Sequence, residues 1–245
     1  MAAYTTIDNP ELYFQTKIYS GDGNDDRNIV FDVTDTSLQP NMLWSARRDS
    51  ADNLSKYDSV RGDGKELRTA ESGAEYDRSD NIQALNSNGF QVGTDGQVNA
   101  SGGTYVSWAW KESATAGFDI LTFTGNASGN QTVSHNLSAV PKWWNIKRLD
   151  QASNWCTYHV GLGGADHNVF LNTTNAIQTD TGIWNDTLPT SSVFSVGNNI
   201  DSNGSGASHV WYGWSEIQGY SKFGTYEGNN NASGPYIYLG FKPAW

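Results

Sequence analysis

Tyr105-Val106-Ser107-Trp108-Ala109-Trp110 and His209-Val210-Trp211-Tyr212-Gly213-Trp214 decide the fold, and they stand 104 residues apart. Each alternates with period two. Val106, Trp108 and Trp110 therefore share one face of a strand, and Val210, Tyr212 and Trp214 share the same face of its copy. Positions that stay large and apolar in both copies are expected in the core. The same shift carries Phe90-Gln91-Val92-Gly93 onto Phe194-Ser195-Val196-Gly197, which adds Phe90, Val92, Phe194 and Val196 to that expected core. It also carries Asn99-Ala100-Ser101-Gly102 onto Asn203-Gly204-Ser205-Gly206, and Trp110-Lys111-Glu112 onto Trp214-Ser215-Glu216. Pro40 and Tyr57 match Pro141 and Tyr158 at a shift of 101, so a small length change separates the two groups. Three similar openings, Tyr19-Ser20-Gly21, Phe123-Thr124-Gly125 and Tyr226-Glu227-Gly228, mark the starts of two copies and of a third that stops part-way. A domain-length repeat makes the chain an array of modules.

Outward from these stretches, Met42–Arg47 and Trp143–Arg148 each follow a proline, as first strands do when the missing N–H is harmless. Turn clusters such as Gly21-Asp22-Gly23-Asn24 and Gly93-Thr94-Asp95-Gly96 separate the runs. The acidic stretch Asp63–Asp80 is expected to form a short helix or an excursion loop. The expectation is an all-β chain of two tandem β-sandwich, jelly-roll-like modules, residues 16–112 and 118–217. A docking arm (1–15) precedes them, a small polar linker (113–117) joins them, and a partial third repeat (218–245) follows. That last β segment is expected either to continue into further sequence or to complete a neighbouring subunit by strand addition.

Composition narrows the function classes. The chain has 245 residues, a formal charge of −11 and only 15 Lys and Arg, so polyanions such as nucleic acid are repelled. Its single cysteine, Cys156, makes no intramolecular disulfide. No apolar run approaches the roughly 18 residues of a membrane helix, and no membrane insertion is expected. Ten Trp and twelve Tyr among abundant Gly and short polar residues suit strands joined by turns.

Candidate chemistry is thin. Glu112 and Glu216 are the only glutamates at matching places in both copies, and no second carboxylate accompanies them at fixed spacing, as glycoside hydrolysis would need. Asp22, Asn24 and Asp26 have the opening spacing of a calcium loop, but Val33 stands where a bidentate Glu belongs. Cys156 and His159 are three apart, yet their counterparts are Ser55 and Asp58, which argues against a shared mechanism. The reading is therefore non-enzymatic, with no catalytic, metal or cofactor residues. Trp143, Trp144, Trp155, Trp184 and Trp211 differ between copies and are expected, with Leu12, Tyr13 and Phe14 of the arm, to serve assembly contacts.

Leu38-Gln39-Pro40-Asn41-Met42-Leu43-Trp44, Tyr57-Asp58-Ser59-Val60-Arg61-Gly62, Asn88-Gly89-Phe90, the stretch from Asn99 to Trp110, His135-Asn136-Leu137-Ser138-Ala139-Val140-Pro141, and Gly219 to Trp245 carry a family resemblance. The chain resembles repeat modules of tail-fibre and other virion proteins of tailed marine bacteriophages, of the cyanophage and pelagiphage kind. The resemblance implies a virion structural protein, most simply a tail-fibre segment that supports host attachment as a homo-oligomer, a trimer by analogy. Capsid decoration (a head-fibre role) and an array of modules binding host surface glycans are its rivals. A polysaccharide depolymerase is a third possibility. The second copy departs from the pattern, with Asn145 where Trp44 stands and Leu162-Gly163 where Arg61-Gly62 stands.

Overall fold

The computed structural model describes residues 4–243; Met1–Ala3 of the arm and Ala244–Trp245 of the partial repeat lie outside the described residues. The first sandwich comprises β1 (Phe14–Ser20), β2 (Arg27–Val30), β3 (Met42–Arg47), β4 (Ser55–Asp58), β5 (Lys65–Arg68), β6 (Tyr76–Asp77), β7 (Ile82–Asn86), β8 (Gly89–Val92), the single-turn α1 (Gly96–Asn99) and β9 (Thr104–Trp110). The second comprises β10 (Phe118–Thr124), β11 (Gln131–Ser134), β12 (Trp143–Arg148), β13 (Cys156–His159), β14 (His167–Phe170), β15 (Gln178–Thr179), α2 (Thr181–Trp184), β16 (Val193–Val196), α3 (Ile200–Asn203) and β17 (Ser208–Trp214). The stretch read as a helix or loop, Asp63–Asp80, instead supplies β5 and β6.

One six-stranded sheet has the order β1-β9-β3-β4-β5-β6 and the other β10-β17-β12-β13-β14-β15, so the order is the same in both. A smaller sheet faces each, β2-β8-β7 in the first sandwich and β11-β16 in the second, where α2 lies in place of a third strand. The pairing is antiparallel throughout. In each sandwich the first long strand lies along the last, with Phe14 opposite Trp110 and Phe118 opposite Trp214.

Each sandwich has its own core. Tyr19, Leu43, Tyr57, Tyr105 and Ala109 of the first large sheet meet Ile29, Phe90 and Val92 of the small one. Trp144, Ile146, Tyr158 and Trp211 meet Phe194 and Val196 in the second. Phe90, Val92, Phe194 and Val196 are wholly buried there.

The alternating face of β9 and β17 needs a correction. Val106, Trp108 and Trp110 do not point into the first sandwich, because Tyr105 and Ala109 do. Val106 and Trp108 are only half-buried. Trp110, with Val210, Tyr212 and Trp214, belongs to a third cluster that lies between the two six-stranded sheets. Both faces of these sheets are apolar, so period two groups the residues correctly without saying which group lines the sandwich.

The partial repeat is also corrected. Among the described residues, 218–243 form no strand, only an isolated bridge between Ile217 and Ser221. A first strand of this fold is held by its last strand, and residues 218–243 contain no equivalent of Thr104–Trp110.

Candidate functional site: a caged lysine between the sandwiches

The seam between the large sheets is mostly aromatic. Met42, Trp44, Leu67 and Trp110 of the first sandwich press on Phe118, Ile120, Trp155, Tyr212 and Trp214 of the second. Trp44 meets Trp110 edge-on at 5.3 Å, and Trp143 stacks on Trp214 at 4.4 Å. Hydrogen bonds stitch the border: Ser153 N–H donates to Ser72 C=O (2.8 Å), Glu75 N–H to Leu149 C=O (2.9 Å) and the Trp155 indole Nε1–H to Arg68 C=O (3.0 Å).

Into this seam β4 sends a lysine. Lys56 stands opposite Trp44 in the β3–β4 ladder, and its side chain is fully buried. Its Nζ lies 4.0 Å from the ring centre of Tyr212, 4.6 Å from Trp44, 5.0 Å from Trp155 and 6.0 Å from Trp214. Four π-faces offer a cation attraction, but the amine has no hydrogen-bond partner. Burial drives its pKa well below the usual lysine value, with the Arg61 charge adding to the effect and Asp58 opposing it.

Asp58, two residues along β4, is buried too. Its Oδ2 accepts from the Tyr212 hydroxyl and from Arg61 Nε, both at 2.6 Å, and Arg61 reaches on to Glu75 at 3.1 Å. Burial works against the Arg61 charge, but Asp58 and Glu75 more than compensate, and its pKa is raised. On the opposing sheet Asn145 lies between Tyr212 and Thr157 in the ladder. Its Oδ1 accepts from Thr157 Oγ1 at 2.7 Å, while its Nδ2, also buried, has no partner. Amine, amide and carboxylate are thus all buried around one residue, Tyr212.

At one edge of the seam a cavity of about 530 Å³ opens between the arm, both sandwiches and residues 239–243. Tyr13, Phe14, Trp110, Trp143, Trp214 and Phe223 line it, with Lys111, Lys222, Glu11 and Asp32 at its margin.

Glu112 does have a carboxylate companion. The bridge between Ser113 and Phe118 sets Glu112 opposite Asp119 across the tight linker turn. Asp119 is buried and accepts from Asn136 N–H at 2.6 Å. Burial, then the hydrogen bond and charge of Asp119, push the Glu112 carboxyl up to about 7. The two carboxyls face each other at a hairpin, not across a groove of the kind glycoside hydrolysis requires. Glu216 has a different neighbour, the Phe223 amide at 3.4 Å.

Several expected contact residues are displaced from the surface. Trp144 and Trp184 are buried in the second core, Trp144 stacked on Tyr158 at 3.9 Å and edge-on to Trp184 at 5.3 Å. Trp155 is buried in the seam, and Trp211 stacks on Phe194 at 4.9 Å. These four are packing residues, three in the second core and one in the seam. Trp143 is half-buried at the cavity. Leu12 is exposed, Tyr13 meets Tyr220 edge-on at 6.5 Å, and Phe14 belongs to β1, packed on Trp110 at 4.9 Å.

Asp22 spends its carboxylate on its own turn, accepting from Asn24 N–H at 2.9 Å. Cys156 faces the second core, while the His159 ring accepts from Gly161 N–H at 2.9 Å and lies near Phe223, so the two do not meet. Among the described residues no group of three or more His, Cys, Asp or Glu is placed to hold a metal ion, and no helix is long and apolar enough to cross a membrane. Lys56 and Asn145 were the residues sequence reasoning missed. The one legible signal was Asn145 replacing the Trp44 of the first copy.

A family model described as a domain of unknown function (DUF7483) matches residues 9–245, across both sandwiches and the C-terminal stretch. No curated protein and no solved structure matches the chain.

Proposed function

We propose that this chain, which belongs to the DUF7483 family, is a non-enzymatic structural protein of a tailed-phage virion, acting as a tail-fibre segment. The observation that carries the reading is the seam: two sandwiches are joined sheet to sheet through buried rings and cross-border hydrogen bonds. Such a junction suits a load-bearing spacer, since bending it would expose aromatic surface to water. The C-terminal stretch supports assembly, because Tyr226, Tyr236 and Tyr238 stand exposed, Tyr236 at 87%. Apolar rings presented on an extended segment suit a neighbouring subunit or virion protein. The test is symmetry-averaged imaging of the particle that carries the chain. Copies in a small multiple of three at the tail support the fibre reading, hundreds on the capsid indicate decoration, and absence from particles overturns both.

The aromatic cavity favours a second reading, recognition of host surface glycans, since indole and phenol faces stack on sugar rings. Tryptophan fluorescence titrated with host polysaccharide tests it: saturable quenching lost in Trp143→Ala supports it, and no response rejects it.

A further inference from the structure

We propose that Lys56 and Asn145 form an intramolecular isopeptide bond that covalently joins the two sandwiches. The starting point is a pair of orphans: Lys56 Nζ and Asn145 Nδ2 are both buried and, among the described residues, both lack a hydrogen-bond partner. Buried polar groups are normally satisfied, so two such groups in one seam call for a common explanation. One amide bond between them removes both.

The placement follows from the ladder. Asn145 lies on β12, flanked by β17 and β13, and its direct partners are Tyr212 and Thr157. Cross-strand partners project to the same face, so the Asn145 side chain lies on the seam face with Tyr212. The lysine amine is bracketed by the Tyr212 ring on β17 and the Trp155 ring at the start of β13. The strand between those two is the one that carries Asn145. By the repeat register Asn145 occupies the place of Trp44 and Thr157 that of Lys56, so the short amide leaves open, in the second sheet, the space an indole fills in the first.

The chemistry balances without any external reagent. The neutral Lys56 Nζ adds to Asn145 Cγ, the Cγ–Nδ2 bond breaks, and ammonia leaves with a proton surrendered by Nζ. Thr157 Oγ1, already donating to Asn145 Oδ1 at 2.7 Å, stabilises the oxygen that becomes negative as Nζ adds. The proposal assigns the proton relay from Nζ to the departing nitrogen to Asp58, the carboxylate whose charge acts on Lys56 and whose Oδ2 accepts from the Tyr212 hydroxyl. Burial favours the neutral amine over its charged form, and the closed aromatic walls keep water from competing as nucleophile.

The test is the intact mass of the purified, folded full-length chain, measured under denaturing conditions. The bond lowers the mass by about 17 Da, the loss of one ammonia. Proteolysis then yields one branched peptide containing both Lys56 and Asn145. Limited proteolysis within 113–117 leaves the halves migrating as one species on a denaturing gel. Lys56→Arg and Asn145→Ala, checked for folding by circular dichroism, restore the unmodified mass. An unmodified mass in the folded wild-type chain overturns the proposal, and so does a loss of ammonia that persists in Lys56→Arg, which marks a succinimide instead. The outcome is independent of where the chain sits in a particle.

Discussion

Glu112 and His209 give the molecule opposite responses to pH. Glu112 is held protonated by burial and by Asp119, with its pKa raised from 4.5 to about 7. The folded chain therefore binds a proton that the unfolded chain has released. That contribution is complete below about 4.5 and is lost as pH rises through about 7. His209 is driven down to about 4, chiefly by burial, so its contribution is present above the ordinary histidine value and fades as pH falls from about 6.5 towards 4. Thermal melts should therefore peak in mildly acidic buffer, and Glu112→Gln should remove the decline on the alkaline side. An unchanged alkaline limb in that variant would show that Glu112 is not the group responsible. Gly213 makes a packing prediction at the same scale. Its missing Cβ leaves room for the Trp211 ring, which fills the site held by Ser107 in the first copy. Gly213→Ala should cost about 1–3 kcal/mol by urea unfolding, whereas the matching residue of the first copy is already Ala109.

At the scale of elements, the repeated Asn-x-Ser-Gly string turns out to be a clamp. Asn99 Nδ2 donates to Gly93 C=O (2.9 Å) and Asn24 C=O (2.7 Å), while its Oδ1 accepts from Asp22 N–H (3.0 Å). Asn203 does the same with Gly197 C=O, Ser128 C=O and Asn126 N–H. One side chain thus ties three turn segments where no ladder reaches. Removing it leaves buried backbone groups unpaired, so Asn99→Ala and Asn203→Ala should each cost about 2 kcal/mol or more, measured by denaturant midpoint at constant slope. Asn99→Ser losing nothing would refute the clamp. The strands at Met42–Arg47 and Trp143–Arg148 were legible because a proline announced each. β5, β6, β14 and β15 were not. Two to four residues among charges and turns carry too little periodicity, and these strands exist because a neighbour's edge recruits them.

For the whole molecule, the seam decides behaviour. If both sandwiches depend on it, calorimetry should show one cooperative transition, not two. Tyr212→Phe removes the hydroxyl that reaches across to Asp58 at 2.6 Å. It should lower stability by about 1–3 kcal/mol in chemical denaturation, without separating the transition into two. Trp155→Ala, at the centre of the seam, should cost about 3–5 kcal/mol. A truncated chain of residues 1–112 exposes Met42, Trp44 and Trp110 together and should self-associate in sedimentation analysis. A monomeric, fully stable fragment would show that the seam is incidental.

The sequence by itself determined the strand-rich class, the buried Phe90, Val92, Phe194 and Val196, and the turn positions. All of these are local or periodic properties, written in which residues alternate and which punctuate. The tertiary structure alone decided which face of β9 and β17 looks inward, that Trp144, Trp155 and Trp184 are interior, that Glu112 stands opposite Asp119, and that Lys56 is buried against Tyr212, the ladder partner of Asn145. Alternation identifies a shared face but not its neighbour. A sheet apolar on both sides has two candidate cores, and only the packing of one whole sheet on another assigns them.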